Sequence, residues 1–493
     1  MDFTNIYLHN TFTNKKEAFV PINNDVINMY CCGVTVYDDC HLGHARTCLI
    51  WDVVRCYLEW KGYKVNYVQN FTDIDDKIIR KALDEKVSIQ EISDRYINSF
   101  FEDMDALGIR RANLYPRATQ SIDRIKTIID YLLDNNLAYE VEGDIYFSVD
   151  KYDKYGLLSN RKLEDLLIGE SNRLTEYELI NKRNPLDFVL WKGNETNSTS
   201  SFIFEWGNGR PGWHIECSAI INKFIGDTVD IHVGGNDLIF PHHENEIAQS
   251  TSYTSLPLAN YWLHNGMVKI DGRKMSKSIG NFLPIKAYLN QYHPMSIRLL
   301  TLQTHYSKPL NYSDEALKNC SATWEYLSKA LSYANNIALV KNKTIPKLRE
   351  IEEVLDYDKD SLNAFENAMN DNFNTPQALA IILNLSKKIN KHLNQSIHGV
   401  IEDSLSEEIL LKLSNTLLHI TKPLGLTLSN KELDISNLET PNISDTEIDK
   451  LISKRDEARA NTNYSEADKI RDLLYSQGIR LVDTDKGTKW FCY

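Results

Sequence analysis

His41-Leu42-Gly43-His44 sets two imidazoles three residues apart around a glycine, after a short apolar run and at the start of a helical pattern. A helix N-terminus presents free N–H groups and the positive end of its dipole, so it attracts phosphate. Gly43 lets a base or phosphate approach the backbone closely. Two imidazoles at this spacing lie on the same side of the turn and can donate to phosphate oxygens. At this composition H-x-G-H arises by chance only about 0.015 times per chain. Lys274-Met275-Ser276-Lys277-Ser278 places two ammonium groups and hydroxyls on one short segment. That set suits a triphosphate and the charge that develops on departing pyrophosphate.

A third group could hold a metal. His242 and Glu246 stand at i, i+4 on an apparent helix, Cys217 lies earlier in the chain, and Cys32 ends the first strand. Two thiolates, an imidazole and a carboxylate make a tetrahedral zinc set. His243 with Glu246, at i, i+3, is a competing pair. Cys31 and Cys32 cannot both point into one site, because adjacent strand residues face opposite ways.

The elements that must position these groups follow from periodicity and turn residues. Asn28–Cys32 reads as a strand stopped by Gly33, His41–Trp60 as a helix stopped at Gly62, and Val65–Val68 as the next strand. This βαβ unit implies a parallel α/β sheet with ligands at its carboxyl edge. Residues 116–205 change character, with a strand at Gly143–Phe147, and read as an insertion. Strand-rich, Gly-rich sequence resumes at Trp206 and runs to about Met267. From Asn311 to about Leu426 the pattern is helical, and 427–443 reads as a linker. Ser444-x-x-Glu447 is a capping box, followed by a second helix at Ser465–Gln477 and a hairpin from Ile479–Asp483 and Thr488–Phe491.

The 493 residues suggest three or four domains at roughly 150 residues each. Apolar residues make up 42% and charged residues 25%, which excludes disordered, collagen-like and channel compositions. No apolar run approaches a membrane span. Met1–Asn5 shows no basic region before an apolar stretch, so a secretory leader is not expected and a cytoplasmic location is. The net charge of −13 argues weakly against a nucleic-acid binder, although a local basic groove can sit on an acidic protein. The eight cysteines are not a disulfide framework. Cys31, Cys40, Cys48, Cys56 and Cys320 are expected to pack, and Cys492 lies near the end.

With both nucleotide signatures in order, the chain resembles a class I aminoacyl-tRNA synthetase. His41–His44 matches that class's HIGH motif with Leu for Ile, and Lys274–Ser278 its KMSKS loop without departure. Met29–Asp38, Asn70–Lys77, Arg210–Ser218, Phe240–Glu246 and Asp371–Pro376 narrow the resemblance to the cysteinyl-tRNA synthetase family of bacterial type, and it runs essentially end to end to Gly487–Trp490. One departure is Val233, in Ile231–Gly235, where relatives often carry glycine.

The resemblance implies an α/β fold. A Rossmann-type parallel catalytic sheet (1–115 and 206–265) is split by a connective insertion (116–205). The KMSKS and stem-contact region (266–315), a helical bundle (316–426), a linker (427–440) and a small α+β anticodon-binding domain (441–493) follow. It implies ATP with Mg2+, L-cysteine and tRNA(Cys) as partners, no membrane, and a monomer. His41, Gly43, His44, Lys274 and Lys277 would bind ATP, the His and Lys residues acting in catalysis. Zinc would be held by Cys32, Cys217, His242 and Glu246. Thr72, Trp213, His232 and Asp237 would line the cysteine and adenylate pocket. Arg459, Asp468, Asp483 and Trp490 would read the anticodon. From Pro441 on there are nine Lys/Arg and ten Asp/Glu, so base reading there rests on edges and stacking.

Serine is nearly isosteric with cysteine, so size exclusion discriminates poorly. A soft metal that favours thiolate discriminates well. Two rivals bear on this reading. A ligase joining cysteine to an amino sugar shares the catalytic core but lacks the anticodon-binding end, which is present here. A non-catalytic RNA-binding or zinc-sensing paralogue would lose the nucleotide motifs, which are intact here.

Overall fold

The computed structural model describes residues 5–160, 181–193, 202–274, 284–342, 356–398, 406–429, 445–476, 479–484 and 487–492. Ser276, Lys277, Ser444 and most of the expected linker lie outside them. The chain divides into two compact units, the first holding residues 1–321, 366–378 and 423–425, the second 322–365, 379–422 and 426–493.

The first unit opens with a hairpin of β1 (Tyr7–Asn10) and β2 (Lys15–Ala18). β3 (Val26–Thr35), α1 (Leu42–Trp60) and β4 (Lys64–Thr72) form the expected βαβ unit, with longer strands than the sequence pattern marks. α1 is apolar on nearly every face and accordingly buried, with Leu42, Leu49, Trp51 and Tyr57 at 0% exposure. Gly62, at φ 99°, follows its end. α2 (Asp76–Glu85) and α3 (Ile89–Ala106) follow β4.

The insertion begins with α4 (Ile122–Asp134) and builds an antiparallel sheet from β5 (Ala138–Val141), β6 (Asp144–Phe147), β7 (Phe188–Gly193), β8 (Phe202–Phe204) and β9 (Gly207–Pro211), in the order β5-β6-β7-β9-β8. The sheet thus continues past the expected boundary at 205, because Lys192 and Gly193 of β7 pair with Arg210 and Gly209 of β9.

Beyond it the chain does not run as strands alone. α5 (Trp213–Phe224), β10 (Val229–Gly235), α6 (Glu244–Thr254) and β11 (Ala259–Asn265) alternate. Both helices are buried on several sides, so their apolar periodicity is weak in the sequence. The parallel sheet reads β11-β10-β3-β4. The chain leaves β3 toward β4 on one side, and β10 leads to β11 on the other. The strand order therefore reverses between β3 and β10, the place where open α/β sheets bind ligands.

β12 (Val268–Ile270), β13 (Arg273–Lys274) and β14 (Leu310–Tyr312) make a small sheet, with α7 (Ile285–Leu289) and α8 (Pro294–Leu302) between the last two. Leu310–Tyr312 is thus strand where a helix was expected to begin, and the helix starts at Asp314. Arg46 of α1, 0% exposed, ties this region to the core. Its Nη1 donates to Gly266 O (2.7 Å) and Met267 O (3.0 Å), its Nη2 to Tyr306 O (3.1 Å) and Lys308 O.

The second unit holds all of helix Glu407–Thr421 and parts of helices Asp314–Asn342, Lys359–Asn370 and Thr375–His398, which make up the helical stretch. At its C-terminal end, helices Asp445–Ala460 and Tyr464–Ser476 and a hairpin of Ile479–Thr484 and Gly487–Cys492 enclose a small core of Ile448, Ile452, Ile470, Leu474 and Ile479. Among the described residues no helix is long and apolar enough to cross a membrane.

Candidate active site and metal centre

β3 breaks its pairing with β4 between Cys31 and Val34. Gly33 occupies this irregularity because its backbone touches β4: a Cβ there would lie 1.6 Å from Asn70 O. The Asn70 side-chain oxygen accepts from the Gly33 N–H (2.8 Å) and the Tyr30 hydroxyl (3.0 Å). The two neighbouring cysteines part as strand parity requires. Cys31 Sγ lies 3.9 Å from Gln69 Nε2, whereas Cys32 Sγ lies 3.8 Å from Cys217 Sγ.

Cys217 comes from α5, Glu246 from α6, and His242 from the kinked turn Ile239–His243 before α6. His242 Nε2 stands 3.5 Å from Cys217 Sγ and 2.8 Å from Glu246 Oε1, which is 3.3 Å from Cys32 Sγ. All four residues are buried, and their donor atoms fall within 4.8 Å of one another. A tetrahedron with Zn–S arms of ~2.3 Å has an S···S edge of ~3.8 Å, so the two thiols stand one such edge apart. The structure also gathers a second set, Cys32, His232, His243 and Glu246. The competition between His242 and His243 visible in the sequence is thus real in space: His243 Nε2 is 3.3 Å from Cys32 Sγ.

The electrostatics favour a deprotonated thiol. A hydrogen bond from Cys32, aided by His242, overcomes burial and Glu246 and brings Cys217 down to about 6. Burial opposes charge on His242, but Glu246 and Cys217 outweigh it and raise the group to about 10. Burial pushes the Cys32 thiol well up.

A second ring of polar groups surrounds the donors, and sequence reasoning named few of them. His242 Nδ1 lies 3.0 Å from His214 Nδ1. His243 Nδ1 lies 2.8 Å from His264 Nε2, whose other nitrogen is 2.8 Å from Thr11 Oγ1. Glu246 Oε2 lies 2.9 Å from His232 Nε2, and His232 stacks on Trp262. Histidines on short buried strands, such as His264, were the available signal. Glu216, fully buried beside Cys217, is pushed well up by burial and accepts from the Thr72 hydroxyl at 2.8 Å.

A cavity of about 500 Å3 opens above Cys32 and runs past Thr35, Asp39, Trp213 and Asp237 to His41, Gly43 and His44. Trp213 and Asp237 are thus among the residues that line it. Thr72 and His232 do not: they sit behind it, against Glu216 and Glu246, because strand parity and helix packing turn them there. His41 and His44 stack on each other at 3.7 Å. The Nδ1 of each faces the other's backbone N–H, at 3.2 and 3.4 Å, capping α1. Val233 is fully buried within β10. Gly234 beside it is required, since a Cβ there would lie 2.8 Å from His243 Cε1.

Lys274 pairs through its backbone with Lys269 at the edge of β12. In the second unit Arg459 lies in the last turn of the Asp445–Ala460 helix and Asp468 pairs with Arg471 at 3.0 Å. Asp483 lies on the hairpin. Trp490 packs on the small core and donates from Nε1 to Asp449 at 3.1 Å.

Residues 18–322 match the family described as tRNA synthetases class I (C) catalytic domain, and 364–429 match the DALR domain. The chain is 47% identical to a Cysteine–tRNA ligase of Picosynechococcus sp. and 46% identical to one of Microcystis aeruginosa, each over 98% of both chains. In fold it resembles the Mycobacterium tuberculosis methionyl-tRNA synthetase in complex with methionyl-adenylate (TM-score 0.56, 15% identity, 82% of this chain and 90% of that one). It also resembles an Agrobacterium radiobacter LeuRS in a ternary complex with tRNA and LeuAMS (TM-score 0.58, 11% identity, 84% and 87%). Sheet order, motif positions and nearly full-length identity together make this chain a member of the cysteine–tRNA ligase family, an enzyme of the class I aminoacyl-tRNA synthetases.

Proposed function

We propose that the chain activates L-cysteine with ATP and Mg2+ and transfers the cysteinyl group to the 3′ end of tRNA(Cys), with a zinc ion selecting the substrate thiolate over serine. The observation that carries the reading is one of placement: a buried Cys–Cys–His–Glu cluster reaches, through Cys32, the cavity that His41, Gly43 and His44 border.

Cys32, Cys217, His242 and Glu246 would hold the zinc. Their donor types, mutual distances and burial fit it, and Cys32–His243 offers the less complete alternative, since it uses one thiol. Bound there, zinc would supply a soft Lewis-acid centre that prefers a thiolate to a hydroxyl. The residues behind it fix the donors: His232 orients Glu246, and His214 lies against His242.

In the reaction a cysteine carboxylate oxygen bonds to the α-phosphorus of ATP. The bond from that phosphorus to its bridging oxygen breaks, and pyrophosphate leaves. Because His41 and His44 commit Nδ1 to the cap of α1, phosphate contact is assigned to their Nε2 atoms and the helix terminus. Lys274 and Lys277 would compensate the charge on pyrophosphate. Trp213 walls the cavity between nucleotide and cluster, and Asp237 lines it where a substrate ammonium needs a carboxylate. Positioning and electrostatics suffice, with no covalent nucleophile from the chain. The C-terminal unit would read the anticodon, through Arg459, Asp468, Asp483 and Trp490.

The test is direct. Purified protein is incubated with ATP, Mg2+, labelled cysteine and total tRNA, beside a reaction with labelled serine. Labelled tRNA with cysteine and background label with serine is the expected result. Cysteine-dependent ATP–pyrophosphate exchange without labelled tRNA would replace this reading with a small-molecule cysteine ligase.

A further inference from the structure

α7 begins at Ile285, just beyond the segment bearing Lys274–Ser278, and two backbone contacts fasten its start beside the other nucleotide motif. Pro284 bridges to His41, and the Ile285 N–H donates to Cys40 O at 2.9 Å. One side chain then reaches from α7 to α3. Lys286 Nζ donates to Ser99 Oγ (3.1 Å) and Glu102 Oε2 (3.1 Å). The Ser99 hydroxyl passes the link on, donating to Asp39 Oδ1 at 2.6 Å. Asp39 borders the cavity and precedes His41 by two residues.

Asp103, also on α3, is 1% exposed, and neither carboxylate oxygen has a hydrogen-bond partner among the described residues. Burial pushes it up to about 6, with Lys286 pulling the other way and Asp39 and Glu102 adding to the rise. One ammonium thus faces three carboxylates from two parts of the chain. As a surface ion pair the Lys286–Glu102 contact is worth little stability. What sets it apart is what it joins.

We propose that Lys286 is a positioning residue for the adenylation step: through Ser99 and Asp39 it holds the start of α7, at Pro284–Ile285, in register with Cys40 and His41, and so keeps the His41–His44 motif in place. Lys286 itself does not line the cavity, so it acts through the backbone at Pro284–Ile285 and through Asp39. The inference rests on the activation reading above. Small displacements of groups acting on one triphosphate cost rate steeply, whereas cysteine is held at the far end of the cavity.

The experiment compares wild type, Lys286→Met, Lys286→Arg and Ser99→Ala in cysteine-dependent ATP–pyrophosphate exchange, varying ATP and cysteine separately. Lys286→Met is expected to lower kcat/KM for ATP by about tenfold, with the KM for cysteine within about twofold of wild type by the same argument. Lys286→Arg, which keeps the charge and the donors, should recover most of the loss. Ser99→Ala should fall between them. Wild-type kinetics in Lys286→Met, a KM for cysteine raised by as much as kcat/KM for ATP falls, or no rescue by arginine would each overturn the proposal. Wild-type protein without any cysteine-dependent exchange would instead overturn the activation reading, and this inference with it.

Discussion

Replacing Arg46 with methionine sets two large effects against each other. The guanidinium is fully buried, burial brings it down to about 10, and among the described residues no carboxylate lies within ion-pair distance. It therefore remains charged at neutral pH, compensated by four backbone carbonyls rather than by a counter-ion. Removing it relieves a desolvation cost of about 3 kcal/mol, reckoned from the lowering at about 1.4 kcal/mol per pH unit. It also leaves the carbonyls of Gly266, Met267, Tyr306 and Lys308 without that donor, at about 1–3 kcal/mol for each one that finds no other. Some are shared: Gly266 N–H already donates to Tyr306 O, and Leu310 N–H to Met267 O. Counted instead as bonds to a charged donor, at about 1.5–2 kcal/mol each, the four lost hydrogen bonds are worth roughly 6–8 kcal/mol, and less the ~3 kcal/mol relieved this leaves a net loss of about 3–5 kcal/mol. In a domain of this size that lowers the melting temperature by roughly 10 °C. Thermal unfolding by circular dichroism reads this directly. Because Gly266 and Met267 line the cavity, the KM for ATP should rise in the surviving protein. Arg46→Lys offers one ammonium where a planar fork spans two chain segments, so it should recover less than half of the lost stability. A melting temperature within about 2 °C of wild type for Arg46→Met would refute the premise that four carbonyls depend on this side chain.

Cys217→Ser removes a thiolate from the cluster. Bound zinc by elemental analysis and cysteine-dependent exchange should fall together, and loss of zinc with unchanged activation would show that the ion does not select the substrate. Gly33→Ala drives a methyl group into Asn70 O and should cost about 3 kcal/mol or more, seen as a melt lowered by at least roughly 6 °C; an unshifted melt would mean β3 and β4 can part without penalty. Deleting 445–493 should spare ATP–pyrophosphate exchange and abolish charging of tRNA, and equal loss of both would assign the C-terminal helices and hairpin a structural rather than a recognition role.

The short strings were legible because they sit at element ends, where chemistry and local structure coincide. His41 caps α1 with its own side chain, so the same four residues mark a helix start and the proposed phosphate site. Cys32 and Cys31 were separable in advance by strand parity, and the structure separates them that way. Thr72 and His232 were not, because their direction depends on which helix covers which face of the sheet. A period-two pattern is silent when both faces are buried. The extent of the insertion was missed for a related reason. β9 is Gly- and Arg-containing, and its place in the antiparallel sheet comes from pairing with β7 rather than from its own propensity. Arg46 and Lys286 carry no local mark, since their partners are backbone carbonyls and α3 side chains far away in the chain.

The Cys–Cys–His–Glu cluster proposed to hold zinc draws on residues as far apart as Cys32 and Glu246, a separation of 214 positions. Neither half of the parallel sheet contains it. During synthesis the ribosome must therefore release β3, the whole insertion and then α6 before the four donors can meet. Until that moment Cys32 is a thiol on an incomplete sheet edge, open to oxidation or to adventitious copper, both of which favour exposed thiolates. Closing so long a loop is slow, so capture of the proposed ion would report the completed sheet and not an early nucleus. The insertion's own antiparallel sheet, built from strands close in sequence, can form while the chain waits. An order of assembly is thereby written into the topology, with the four-donor cluster as its last step.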